Sequence, residues 1–117
     1  MPRDFNRADR VASVLQRELA VLIRDELKDP RVTGVSVSEV EVSRDLSHAR
    51  VYVLLAADSD RQAVMAGLNQ AAGFLRARLK PMLKMRIIPQ LRFLEDDSVD
   101  RGEHIDQLLA RLNKPEY

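Results

Sequence analysis

The spacing of apolar residues predicts a long amphipathic helix near the start of the chain. From Asn6 to about Lys28, apolar side chains recur at intervals of three and four, at Ala8, Val11, Leu15, Leu19, Leu22 and Ile23. In a helix this spacing lines them up on one face, which we expect to pack against a core. The helix should end at Asp29 and Pro30, because proline disfavours helical geometry in the residue before it.

Two β-strands are predicted next. Residues from about Gly34 to Arg44 are rich in valine, and alternate residues from Val51 to Leu55 are apolar. The sequence from Arg44 to Ser47 favours a turn, which makes the pair an antiparallel hairpin. Within the first strand the valines change alternation phase, so a bulge near Ser38 or Glu39 would return all of them to the core face.

A second, interrupted helix follows. Asp58 or Ser59 can cap a helix whose apolar positions are Val64, Leu68, Ala71, Ala72, Leu75 and Leu79. Gly67 and Gly73 each cost about 1 kcal/mol relative to alanine inside a helix. We therefore expect a kink or a close packing contact at Gly73. Pro81 leaves the C-terminal end of this helix undetermined.

The remaining sequence predicts a third strand from Arg86 to Leu94 and a short C-terminal helix. Pro89 suits a strand start or an unpaired edge, because it has no amide hydrogen. Asp100, followed three residues later by Glu103, resembles a capping box before the apolar residues Ile105, Leu108, Leu109 and Leu112. The predicted order is helix, strand, strand, interrupted helix, strand and terminal helix, which makes a two-layer α+β domain.

Length and composition favour one domain of a cytosolic protein. A chain of 117 residues can bury a single core. It has no apolar run long enough to span a membrane and no start resembling a signal peptide, so we expect it to stay in the cytoplasm. The absence of cysteine excludes disulfides, thiolate nucleophiles and the usual structural zinc sites. Aromatic residues make up only 4%, so base stacking can be at most a minor mode of nucleic-acid binding.

Charged residues are segregated along the chain, although the net charge is only +1. From Arg61 to Leu94 there are seven basic residues and no acidic one, whereas from Glu95 onward there are seven acidic residues and three basic ones. The side of the second helix opposite its apolar stripe carries Asn69, Gly73, Arg76, Lys80 and, at its limit, Lys84. Such a surface can neutralise phosphates and release their counterions, which favours nucleic-acid binding. An ordinary solvated helix face explains the pattern equally well.

Other cations are weaker candidates. Arg10, Arg17 and Arg24 repeat every seven residues on one face of the first helix, but acidic neighbours dilute their field and favour a solvated face. Arg50 shares a strand face with Tyr52 and could present a cation beside a ring to RNA. The same two side chains could equally cover the outer face of a sheet.

Catalysis has little support in the sequence. The two histidines, His48 and His104, lie 56 positions apart, and neither forms a pair with metal-ligand spacing. The carboxylates between Glu95 and Asp100 could hold a magnesium ion, although a solvated turn before a helix N-terminus is the commoner explanation. There is neither a glycine-rich phosphate loop nor a serine nucleophile elbow. We predict no catalytic residues, no bound metal and no cofactor.

Several segments resemble one family of proteins. They are DPRV at Asp29–Val32, VSRDLSHARVYV at Val42–Val53, AAGFLR at Ala71–Arg76 and RIIPQLRFLEDDSVDRGEHIDQLL at Arg86–Leu109. In kind and order these segments are similar to the ribosome-binding factor A family. Together with the first helix they cover nearly the whole chain.

The resemblance implies a single KH-like domain of the second topological type over residues 1–117, with its core at about 6–95 and a C-terminal helical extension at about 98–113. In this family a helical kink at an alanine, any residue, glycine triplet replaces the usual GXXG loop, and here the triplet is Ala71, Ala72 and Gly73. A KH surface grips a nucleic-acid backbone near this junction. The RNA-binding residues expected from the resemblance and the basic block are Ala71, Gly73, Arg76, Arg78, Lys80, Lys84, Arg86 and Arg92, with Arg50 as an additional candidate.

The resemblance also implies a function. Such a protein would bind free 30S ribosomal subunits and 16S rRNA near its 5′ terminal helix, as a cytoplasmic monomer that is not an enzyme. It would assist late 30S maturation and 16S rRNA processing, notably in the cold. Two alternatives stay open. The acidic C-terminal segment could dock a ribosomal protein, or the residues from Glu95 to Asp100 could form a magnesium-dependent nuclease.

Overall fold

A computed structural model of the chain describes residues 7–96. The elements are α1 (Arg7–Glu26), a short 3-10 turn (Pro30–Val32), β1 (Ser36–Val42), β2 (His48–Leu54), α2 (Arg61–Gln70), α3 (Ala72–Leu83) and β3 (Gln90–Glu95). The predicted order is confirmed over this range. The predicted C-terminal helix lies outside the described residues. None of the helices within 7–96 combines the length and the apolarity needed to cross a bilayer.

The three strands form one sheet in the order β1-β2-β3. β1 pairs with β2 in antiparallel orientation, and β2 pairs with β3 in parallel orientation, so α2 and α3 together make the crossover between them. The predicted bulge is confirmed, because the β1–β2 register shifts between Val37 and Glu39. As a result Val40 is buried, and the other valines of this segment, Val35, Val37 and Val42, pack against the same core.

The helices form the second layer, on one face of the sheet. In β2 the residues toward the helices, Ala49, Val51 and Val53, are buried, whereas His48 and Arg50 on the other face are exposed. The core side chains with at most 2% exposure include Leu15, Leu19 and Leu22 of α1, Leu68 of α2, Leu75 and Leu79 of α3, and Phe93 of β3. The apolar stripes predicted for the helices are therefore the ones that pack.

The start of α2 differs slightly from prediction. Its cap is Asp60, whose carboxylate accepts a hydrogen bond from the amide of Ala63, and not Asp58 or Ser59. The amide of Ser59 instead donates to the carbonyl of Ala56 and closes a turn before the helix. A third polar residue in this run therefore becomes the cap.

The break between α2 and α3 lies at Ala71, two residues before the predicted kink at Gly73. The expected close packing at Gly73 is wrong, since a Cβ atom added there would meet nothing within 4 Å. Gly67 is the tightly packed glycine, because an added Cβ would lie 3.3 Å from Val32 Cγ1. α3 continues through Pro81 and ends at Leu83, followed by Lys84 in the left-handed region with φ 52°.

Candidate nucleic-acid interface

The α2–α3 break and the loop before β3 enclose a shallow groove of about 370 Å³, called here the junction groove. Its lining residues are Gly73, Arg76, Ala77, Lys80, Arg86, Ile87 and Ile88. Gly73 and Ala77 are exposed small residues one helical turn apart, so the backbone of α3 is accessible along this side. α3 begins at Ala72 without a side-chain cap. A ligand can therefore approach the start of α3 closely.

The Arg76 guanidinium forms hydrogen bonds within the fold. Its Nε atom donates to the carbonyl of Pro89 at 3.1 Å and its Nη2 atom donates to the carbonyl of Ile88 at 2.8 Å. The side chain is half-buried, whereas Lys80 one turn later is exposed. The expectation that Arg76 faces solvent beside Lys80 is therefore corrected. Arg76 holds the loop that forms one wall of the junction groove.

Asn69, on the same helical row, also contacts the β3 backbone. Its side-chain oxygen accepts from the amide of Phe93 at 3.0 Å, and its side-chain nitrogen donates to the carbonyls of Met65 at 3.1 Å and Phe93 at 3.5 Å. The row predicted to be one open polar face is therefore divided. Asn69, although exposed, bonds to β3, and the half-buried Arg76 bonds to the loop before β3. Gly73 and Lys80 are exposed and make no such bond to β3.

Two other predicted RNA-binding arginines form ion pairs within the fold. Arg78 donates to Glu26 at 2.7 Å, and this carboxylate on α1 raises the pKa of Arg78. Arg50 lies on the open face of the sheet, 3.4 Å from Glu41. Arg92 is exposed on the same face and lies opposite Arg50 in the β2–β3 register.

The cations without an ion pair in residues 7–96 include Lys80, Lys84 and Arg86, which are all exposed. Lys80 and Arg86 both line the junction groove. Lys84 lies in a different depression, together with Arg7 and Arg10 at the start of α1. The left-handed backbone at Lys84 turns the chain away from the helix axis, so the row does not continue to this residue.

Sequence reasoning missed two residues of this region. Arg7 begins α1 and lies near the α3–β3 loop, a proximity that exists only after folding. Ile87 has 65% exposure, the largest value for a bulky apolar residue in the described range, and it lines the junction groove between Arg86 and the buried Ile88. The only feature of the sequence that pointed to Ile87 was its position between the basic residues Arg86 and Arg92.

The β1–β2 turn brings a serine, a histidine and an aspartate together, but not in a catalytic order. The Ser47 hydroxyl lies 2.7 Å from Asp45 and 2.8 Å from His48 Nδ1. In a catalytic triad the histidine lies between the serine and the acid, so that it can take the serine proton. Here the serine lies between them, and the Asp45 carboxylate also accepts bonds from the Ser43 hydroxyl and the Ser47 amide. The group closes a turn.

Two of the carboxylates considered for magnesium lie within the described residues, and each of them bonds to another side chain. Glu95 pairs with Arg61 at 2.9 Å, and Asp96 accepts a hydrogen bond from the Ser38 hydroxyl. Asp97 and Asp100 lie outside the described residues, as does His104. Over residues 7–96 no group of three or more metal-ligating side chains comes together.

Comparisons with known proteins agree on one family. The sequence matches the family model for ribosome-binding factor A over residues 7–109. Ribosome-binding factor A of Nitrosospira multiformis is 51% identical over 110 residues, which cover 93% of this chain and 87% of that protein.

Solved structures extend the match to the fold. The crystal structure of ribosome-binding factor A from Thermus thermophilus superimposes with a TM-score of 0.69 at 33% identity, covering 75% of this chain and 93% of that one. A homology model of the Thermus thermophilus factor, fitted into the cryo-EM map of its complex with the 30S subunit, gives a TM-score of 0.64 at 32% identity, covering 76% and 93%. The fold described above is accordingly the KH-like α+β fold of these proteins.

Proposed function

Because this chain belongs to the ribosome-binding factor A family, we propose that it binds the free small ribosomal subunit through contacts with 16S rRNA. The proposed contact surface is the junction groove. The observation that carries this assignment is the pairing of an open backbone at Gly73 with two cations, Lys80 and Arg86, that no carboxylate in residues 7–96 neutralises.

The chemistry of the groove suits a phosphate backbone. Neutralising phosphates releases condensed counterions, which favours binding without reading a base sequence. Gly73 carries no side chain, so a phosphodiester can approach the first amides of α3, where the helix dipole favours negative charge. Arg76 supports the groove from behind, because it fixes the loop that carries Arg86 and Ile87.

The finer role follows the family. The chain would act near the 5′ terminal helix of 16S rRNA, support late 30S maturation and 16S rRNA processing in the cytoplasm, notably in the cold, and work as a monomer. It needs no catalytic group for this role. A protein that binds one rRNA conformation more tightly than another shifts their populations by its differential affinity.

Co-sedimentation of the purified full-length protein with isolated 30S subunits tests this proposal. The double variant Lys80→Gln/Arg86→Gln should lose most of its binding, because it removes the two open cations of the groove. The matched control is Arg17→Gln/Arg24→Gln, which removes the same charge from exposed positions of α1. The control should bind like the wild type.

Three results would count against the proposal. Equal binding by the two double variants would remove the junction groove from the contact surface. A wild-type protein that fails to bind 30S subunits would remove the function itself. Cleavage of a precursor 16S rRNA by the pure protein, abolished by a magnesium chelator, would show that the chain is an enzyme.

A further inference from the structure

The fold divides its cations into two groups. Five ion pairs in residues 7–96 neutralise arginines, namely Arg24, Arg31, Arg50, Arg61 and Arg78. Arg76 donates to backbone carbonyls instead. The cations outside this group determine where positive potential reaches solvent, and several of them collect at one end of the molecule, where α1 begins and α3 ends.

Three depressions join along this end. The junction groove shares Arg86 and Ile87 with a second depression beside the β1–β2 turn. The second depression shares Arg7 and Met85 with a third, which lies between α1 and the end of α3. The surface is therefore continuous from the α2–α3 break to the first turn of α1. Its cations, called here the basic band, are Lys80, Arg86, Arg7, Lys84 and Arg10.

The carboxylates nearest the band do not cancel it. Asp9 lies about 160° round α1 from Arg7 and about 100° from Arg10, whereas the two arginines are about 60° apart. Asp45 lines the second depression, where its carboxylate accepts hydrogen bonds from the Ser43 and Ser47 hydroxyls and the Ser47 amide. It stays negatively charged, and it is the one carboxylate among the described residues that line the three depressions.

The placement of Arg7 and Arg10 is unfavourable for α1 itself. Both lie in or next to the first turn of a 20-residue helix, where the macrodipole favours acidic side chains and disfavours cations. Neither forms an ion pair with residues 7–96 that would offset this cost. Both side chains are exposed, so their positive charge faces solvent at this end of α1.

We propose that the basic band is one RNA-binding surface, in which Arg7, Arg10 and Lys84 bind phosphates beyond those held in the junction groove. This inference rests on the proposed function and extends its site round the end of the molecule onto α1. The ligand is the sugar-phosphate backbone of the same rRNA, because the band continues the groove with three further cations and only one lining carboxylate, Asp45.

The test measures the affinity of the fluorescently labelled full-length chain for isolated 30S subunits and for naked 16S rRNA over a potassium chloride series. Arg7→Gln/Arg10→Gln is compared with Arg17→Gln/Arg24→Gln, which removes equal charge from the same helix. Arg10 and Arg17 are matched, since they share a helix face about 10 Å apart. The Arg7/Arg10 variant should bind both ligands about tenfold more weakly at 0.1 M salt, with a salt slope smaller by about 1.5. The control should keep the wild-type slope.

The charge-conserving variant Arg7→Lys/Arg10→Lys separates charge from folding. It should keep most of the affinity and the slope, because each lysine still neutralises a phosphate. Loss of binding in this variant together with an unchanged slope would mean that the arginines act through packing, and would overturn the inference.

The other outcomes are equally distinct. If Lys80→Gln/Arg86→Gln loses binding while Arg7→Gln/Arg10→Gln matches the control, the basic band is refuted and the proposed function stands. If Arg7→Gln/Arg10→Gln weakens binding to 30S subunits but not to naked rRNA, these cations meet an acidic protein surface, and the inference fails. If the wild type binds neither ligand, the inference and the proposed function fall together.

Discussion

Gly67 lies in α2 and Gly73 in α3, and glycine suits the two positions for different reasons. Gly67 faces the 3-10 turn after α1, and a Cβ there would lie 3.3 Å from side-chain atoms of Asp29, Arg31 and Val32. Gly73 has open space where its Cβ would be. The fold therefore explains Gly67, and the ligand proposed for the junction groove explains Gly73.

Gly73→Ala should separate stability from binding. Alanine favours the helix, and nothing obstructs its methyl group, so the free energy of unfolding should rise by roughly 0.5–1 kcal/mol in urea denaturation. Affinity for 30S subunits should fall, because the methyl group occupies the floor of the groove. Gly67→Ala is the control, and its gain in stability should be smaller because its neighbours must move. A Gly73→Ala protein with wild-type affinity would show that close backbone approach is not needed.

Asp45 gives the β1–β2 turn a dependence on pH. Hydrogen bonds from Ser47 and Ser43 to its carboxylate lower the pKa of Asp45 from 3.8 to about 2. As the pH falls, the Asp45 carboxylate takes up a proton at a higher pH in the unfolded chain than in the folded one. The contribution of the turn to the free energy of unfolding is therefore complete above about pH 4 and is lost between about pH 4 and pH 2. Carboxyl NMR titration should give a midpoint near 2, and Asp45→Ala should flatten the stability curve in that window. A midpoint near 4 would contradict the hydrogen-bonded turn.

The loop between α3 and β3 depends on one side chain of a neighbouring element. Ile88 and Pro89 are buried, and their carbonyls accept both hydrogen bonds of the Arg76 guanidinium. Without that donor, the two carbonyls lose their side-chain partner in a region with little access to water. The loop would then be attached mainly by the burial of Ile88 in the core that it shares with Leu75 and Leu79 of α3.

Arg76→Met should lower the free energy of unfolding by about 1–3 kcal/mol, because it removes a charged donor from partly buried acceptors. Amide hydrogen exchange should increase in residues 86–90, which is the specific mark of a freed loop. Lys80→Met is the control, since Lys80 is exposed and should leave both measurements unchanged. The salt slope of RNA binding should fall less in Arg76→Met than in Lys80→Met. A larger fall would show that Arg76 contacts phosphate directly.

The elements could be predicted from the sequence because they depend on local spacing. The α1 stripe, the hairpin and the bulge near Ser38 all follow from the phase of apolar residues, and the structure confirms them. The site was harder to predict, because whether a cation is free depends on distant partners. Arg78 meets Glu26 across 52 positions and Arg76 meets Ile88 across 12. Periodicity identifies the helix face of such residues but not the groups they contact.

At the scale of the whole molecule, the net charge of +1 conceals a separation of sign along the sequence. The basic band lies at one end, whereas the sequence from Glu95 onward carries an excess of acidic residues. Long-range repulsion between those acids and rRNA should oppose binding at low ionic strength and disappear at high ionic strength, where screening is strong.

Asp100→Asn/Glu103→Gln tests this arrangement and the competing protein-docking hypothesis together. If rRNA is the ligand, the variant should bind 30S subunits with equal affinity, or up to a few-fold more tightly in low salt, because it removes two negative charges. Weaker binding would instead show that the acidic segment docks a basic ribosomal protein. Affinity measured at two salt concentrations distinguishes the two results.

The side-chain amide of Asn69 has a consequence for how copies of this protein behave together. Its side-chain oxygen and nitrogen form hydrogen bonds with the amide and carbonyl of Phe93, as the backbone of a neighbouring strand would. They therefore cover part of the exposed edge of β3. An edge strand with unpaired backbone N–H and C=O groups can pair with a strand of another molecule and start aggregation. We therefore expect Asn69→Ala to leave these groups open to a strand of another molecule and to lower the solubility of the protein at high concentration.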